Sequence, residues 1–158
     1  MNNERIELSA LVSNLTWAVV ESNRIDQTVL LLLVYLSDWH SCVKYGCRLT
    51  DIQWRVARRW LSEEGLESYI RNHTDMFVCD DVTGTVVSKI SPLNIQNEIW
   101  NSIIERICVL YKSLKDTGLQ TFVMSTFPIL SASSDTLVDI DLLAKAVEYQ
   151  TLNGSKRQ

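Results

Sequence analysis

The chain has 158 residues, 46% of them apolar and 22% charged, with a formal net charge of −4. This length and composition exclude a disordered or fibrous polypeptide and predict one globular core. The acidic balance argues against a surface built wholly for nucleic acid, while leaving room for a local basic stripe.

Met1 to Arg5 is polar and mixed in charge, unlike the basic opening of a secretory signal. The run Val29 to Leu36 gives only eight consecutive non-polar residues before Ser37 and Asp38 interrupt it, too few to span a bilayer. The expectation is a soluble, cytoplasmic protein without a membrane partner. In that reducing compartment Cys42, Cys47, Cys79 and Cys108 serve as small core residues.

A first helix is predicted from Glu4 to Glu21, with Leu8, Leu11, Val12, Leu15, Ala18 and Val19 on its buried face and Trp17 off that stripe. Ser22-Asn23-Arg24 breaks the pattern. Asp26 can accept a backbone N–H to open a second helix, with Ile25 outside it as a staple. That helix runs to about Lys44 with Val29, Leu32, Leu33, Leu36, His40 and Val43 as its stripe. Leu30, Leu31, Val34 and Tyr35 make it apolar on its other sides, as a helix surrounded by several partners must be. Gly46 is placed to end it.

Thr50-Asp51-Ile52-Gln53 matches the capping box and predicts a third helix from Thr50 to Leu61. Ile52, Ala57, Trp60 and Leu61 would be buried, and Arg55, Arg58 and Arg59 would share the other face. Ser62 to Arg71 is read as a short further helix opening on the acidic pair Glu63 and Glu64. The period then changes. Met76 to Cys79 and Thr85 to Ser88 are β-prone runs flanking Asp80-Asp81-Val82-Thr83-Gly84, which predicts a hairpin that something else must complete.

A long helix follows from Asn94 to Lys115, with Ile95, Ile99, Ile103, Ile107, Leu110 and Leu114 inside and Thr117-Gly118 as its end. Leu119 to Phe127 reads as a short helix stopped by Pro128. After a loop at Ser131 to Asp135, a last helix covers Val138 to Thr151 with Ile140, Leu143, Ala144 and Val147 buried. Asp135, Asp139 and Asp141 flank its start, where the free N–H groups favour negative charge. Residues 1–152 are therefore expected to form a single helical interaction domain and 153–158 a polar tail. The predicted fold class is mainly α (α+β), a helical bundle around a central buried helix with one small β-hairpin.

Catalytic signatures are missing from the sequence. It has no P-loop, no GxGxxG after a strand, no GxSxG elbow and no HExxH helix. His40 lies two residues from Asp38 on a helix, so their side chains diverge, and His73 falls in the turn-like Asn72-His73-Thr74-Asp75. Cys42 and Cys47 with His40 are spaced too widely for a zinc knuckle unless Cys79 or Cys108 converges on them. Asp80 and Asp81 suit a turn better than a metal pair. No catalytic residue, cofactor or metal is expected.

The candidate binding residues are Arg55, Arg58 and Arg59, extended by Arg48 and Arg71, with Trp54 and Trp60 beside them. Arginine forks hold phosphates or carboxylates with paired hydrogen bonds. Three readings stay open: nucleic-acid backbone, the acidic surface of a partner protein, or a solvated face paired with Glu63, Glu64 and Glu67. An exposed tryptophan next to the arginines would favour a protein partner.

Leu32-Leu33-Val34-Tyr35-Leu36-Ser37-Asp38-Trp39-His40, followed by Tyr45-Gly46 and Leu49-Thr50, resembles the Panacea or SocA-like domain of bacteria and phages. There a "KLLYLAD" type helix precedes an aromatic or His, then "YG" and "LT". The likeness runs loosely from Leu11 to Pro128. It departs where the family carries "YGPV", since Trp54 to Trp60 contains no Gly-Pro. The resemblance implies an antitoxin-type interaction domain of toxin–antitoxin and phage-defence loci, non-catalytic and hetero-oligomeric, that restrains or assembles a larger effector, toxin or ATPase subunit. Its alternative form is an accessory subunit of an SMC-like ATPase and nuclease complex that also touches the DNA backbone.

Overall fold

In a computed structural model, which describes residues 4–20, 22–57, 60–132 and 136–154, the chain is a mixed α+β fold. Helix α1 spans Leu8–Val20 and α2 spans Gln27–Tyr45. Between them Arg24–Asp26 forms strand β1. The Asp26 carboxylate accepts the N–H groups of Thr28 (2.8 Å) and Val29 (3.1 Å), which leaves fewer amides unsatisfied at the start of α2. Gly46, at φ 78°, returns its N–H to the Cys42 carbonyl and closes the other end in a conformation that a side chain would strain. Along α2 nearly every side chain from Val29 to Asp38 is buried.

The segment predicted as a third helix is instead a hairpin. Strand β2 (Gln53–Ala57) pairs antiparallel with β3 (Trp60–Glu64), Trp54 opposite Glu63 and Val56 opposite Leu61. Thr50 does not cap a helix. Its hydroxyl donates to Asp38 (2.6 Å) and accepts the Ile52 N–H (3.2 Å), which turns the chain outward into an extended run. From Ile52 on, burial alternates, with Ile52, Trp54 and Val56 inside and Gln53, Arg55 and Ala57 outward. β-branched and aromatic residues at alternate positions favour a strand.

Helix α3 (Leu66–Asn72) begins later than Glu63. The Glu63 carboxylate receives the N–H groups of Leu66 (2.6 Å) and Glu67 (3.0 Å), so the acid serves the helix from outside it. Strands β4 (Phe77–Asp80) and β5 (Thr85–Ser88) pair around a turn in which Asp80 accepts the Val82 and Thr83 N–H groups and Gly84 takes φ 66°. β1 completes them in the order β1-β5-β4. The second sheet runs β3-β2-β6, its third strand being Thr136–Leu137. Among the described residues the expected hairpin, β4–β5, is thus part of one three-stranded sheet, and a second three-stranded sheet stands where no strand was predicted.

Helix α4 (Glu98–Met124), capped by the Asn97 side chain, starts later than Asn94 and breaks at Lys115, where the predicted helix ends, but Thr117-Gly118 does not stop it and it continues to Met124. Lys115 has φ 55° and ψ −171°, a region that only glycine enters cheaply, and the Tyr111 hydroxyl spans the break to Asp116. Pro128 does not simply end a helix. It sits in the first turn of α5 (Phe127–Ser131), where a missing N–H costs nothing. Helix α6 (Ile140–Gly154) opens with Asp139 accepting the Leu142 N–H (3.0 Å); Asp135 lies outside the described residues.

Several predicted core positions face outward. Ile99, Val43 and Ala18 are exposed, and Ile104, Cys108, Ser13 and Thr16 take inner positions. The buried apolar residues form one cluster running from Ile6 to Ala144. Among the described residues no helix is long and apolar enough to cross a membrane.

Candidate functional site

Two features of the β2–β3 hairpin matter for function: a buried polar junction behind it and an exposed apolar groove beside it. The junction is centred on Asp38, fully buried on α2. One carboxylate oxygen accepts the Thr50 N–H (2.8 Å), and the other accepts the Thr50 hydroxyl (2.6 Å) and the Trp54 indole N–H (2.9 Å). Burial pushes this carboxyl above its ordinary range, while the donors from Thr50 and Trp54 and the nearby Arg48 charge pull it back. Trp54 also packs edge-on against the Tyr35 ring, centroids 5.4 Å apart, and the Tyr35 hydroxyl shares a 2.7 Å hydrogen bond with Thr126. These contacts join α2, the loop at 46–52, β2 and the end of α4.

Arg48 belongs to the same construction. Its Nε donates to Asp141 of α6 (3.1 Å) and its Nη1 to the Ile52 carbonyl (2.9 Å), while Arg5 donates to the Arg48 carbonyl. The Cys42 thiol donates to Asp141 as well (3.4 Å). Burial and that carboxylate push the thiol well above its usual range, so Cys42 is a poor nucleophile at neutral pH. Arg48 and Trp54, expected on a binding face, are thus structural: Trp54 is 1% exposed and cannot reach a partner.

The other predicted arginines do not share one face. Arg55, on β2, pairs with Glu64 (3.1 Å). Arg71, on α3, pairs with Glu67 (2.9 Å) and with Asp81 of the β4–β5 turn (2.7 Å). Arg58 and Arg59 lie outside the described residues. His73 stacks on Tyr69, 3.9 Å between ring centroids, and its Nδ1 lies 2.7 Å from the Tyr69 carbonyl, as befits a residue closing α3. Among the described residues no three of His, Cys, Asp or Glu converge as a ligand set.

The groove was not anticipated from the sequence. It lies between the first turns of α2, strand β3 and α3, with a volume of about 170 Å³. Leu30, Leu66 and Ile70 form its floor, Leu31 is half-buried in its wall, and Trp60, 42% exposed, stands at its rim with Glu63 and Glu67. β3 is also an edge: β2 occupies one side, and no described strand occupies the other. The sequence signal for this edge was Trp60 itself, an aromatic placed just before a charged stretch.

No protein family, no curated protein and no solved structure matches the chain in the comparisons with known proteins.

Proposed function

We propose that the chain is a non-catalytic protein-interaction subunit of a bacterial or phage toxin–antitoxin or anti-phage defence system, restraining or assembling a larger effector that it binds. The Panacea-like Leu32 to His40 and Tyr45-Gly46 segments support the system, and the surface supports the mode of action. The observation that carries the reading is the β3 edge, which no described strand pairs, with Trp60 exposed beside an apolar groove. An edge strand offers a row of free backbone groups to an incoming extended segment, and a rim tryptophan supplies the kind of contact that dominates interface energy.

The occupant we infer is an extended segment of the effector. It would place an apolar side chain on Leu30, Leu31, Leu66 and Ile70 and a Lys or Arg towards Glu63 and Glu67. Contact with a DNA backbone has less support, because Arg48, Arg55 and Arg71 each already face a carboxylate. Co-expression with each neighbouring gene product tests the reading. One of them should co-elute with the chain and be lost on Trp60→Ala. Failure of every neighbour to co-elute, or full retention by the Trp60→Ala variant, overturns it.

A further inference from the structure

Among the described residues, every arginine except Arg106 lies within ion-pair distance of a carboxylate: Arg5 with Asp51, Arg24 with Asp80, Arg48 with Asp141, Arg55 with Glu64 and Arg71 with Glu67 and Asp81. Arg106 has no such partner and lines an open cleft of about 490 Å³ between α2 and α4. The cleft is lined from α2 by His40 and Lys44, and from α4 by Ser102, Glu105, Arg106 and Val109. Lys44 also lacks a carboxylate partner among the described residues, and its ammonium lies 5.2 Å from the centroid of the Tyr45 ring.

In a chain of net charge −4 with acidic residues to spare, two cations without an ion-pair partner outnumber Glu105, the carboxylate lining the same cleft, and leave a local positive potential that an anion can neutralise. We infer that this cleft binds the phosphate group of a small molecule, Arg106 supplying the fork, Lys44 the second charge, and Ser102 and His40 the flanking hydrogen bonds. Glu105 fits that ligand. A protonated phosphate or phosphomonoester offers a P–OH for a carboxylate to accept, whereas sulfate offers none.

The surroundings of His40 agree with a cationic cleft. Its ring is held below the ordinary value by partial burial and by the charges of Lys44 and Arg106. Glu105, the one carboxylate lining the cleft, faces it from α4. A bound phosphate anion that keeps its P–OH, such as hydrogen phosphate or a phosphomonoester monoanion, reverses the balance and favours the imidazolium. This inference is independent of the groove at β3, which lies against the first turns of the same helix.

The test uses the full chain and the NMR signals of its two histidines, His73 acting as an internal control outside the cleft. Adding inorganic phosphate should raise the titration midpoint of His40 and leave that of His73 unmoved. Arg106→Gln, an exposed position whose loss should not disturb folding, should weaken phosphate binding about tenfold or more, as expected for removing a charge-assisted hydrogen bond. AMP binding more tightly than phosphate, still dependent on Arg106, supports a phosphomonoester ligand. The inference fails if sulfate at equal ionic strength acts as strongly as phosphate, if both histidines shift alike, or if Arg106→Gln binds as the parent does. It also fails if only duplex DNA binds, with the steep salt dependence of a polymer backbone.

Discussion

Trp54 and Trp60 stand six residues apart on the two strands of one hairpin and do opposite work. Trp54 turns inward, 1% exposed, and spends its indole N–H on the Asp38 carboxylate. Trp60 turns outward, 42% exposed, on a strand whose far edge has no partner among the described residues. An aromatic residue next to arginines is therefore not by itself a binding signal. What separates the two is whether the polar part of the ring is consumed by the fold.

The largest effect should come from the group that holds Trp54. Asp38→Ala leaves the Thr50 N–H, the Thr50 hydroxyl and the Trp54 N–H without their acceptor inside the core. Chemical denaturation should then show a loss of about 3–5 kcal/mol. A loss below ~1 kcal/mol would mean that water reaches the junction and that Trp54 is no more fixed than Trp60.

Trp54→Phe keeps a ring against Tyr35 but removes one donor, and should cost about 2 kcal/mol at neutral pH. It also raises the Asp38 titration further, because one stabilising donor to the carboxylate is gone. The folded variant then binds its proton more readily than the folded parent. The stability gap should therefore narrow as pH falls through the folded-state titration of Asp38, and a gap that widens on acidification contradicts the hydrogen bond.

A smaller effect of opposite sign sharpens the separation of stability from binding. Lys115 sits at φ 55° and ψ −171°, far from either tryptophan in sequence, in a conformation natural only to glycine. Lys115→Gly should raise the unfolding free energy by about 1 kcal/mol, the relief of strain exceeding the extra chain entropy of glycine. Partner capture should not change. A destabilised Lys115→Gly would show that the break in α4 is not strained.

Local chemistry made some of this legible beforehand. Asp26 bounds α2 by accepting two backbone N–H groups and Gly46 by a left-handed turn, and the Asp-rich, Gly-ended 80–84 segment marked its own hairpin. The β2–β3 hairpin was hidden for two reasons. Its connection, Arg58-Arg59, has no Gly, Asn, Asp or Pro to announce a turn, and Thr50 looked like a helix cap while serving the buried Asp38. β1 and β6, three and two residues long, exist only because β5 and β2 offer edges, so no local pattern reports them. Arg48 was legible as a charge but not as a strut, since Asp141 lies 93 positions away. The groove joins α2, β3 and α3, and its members are scattered from Gln27 to Ile70.

The most direct measurement takes Trp54→Phe and Trp60→Ala side by side, recording for each the unfolding free energy and the affinity for the same co-eluting partner. Trp54→Phe should lose about 2 kcal/mol of stability with its affinity intact while folded, and Trp60→Ala should change stability by less than ~0.5 kcal/mol yet bind about tenfold or more weakly. Unchanged binding by Trp60→Ala, with affinity lost instead in the folded Trp54→Phe variant, would contradict this division of roles.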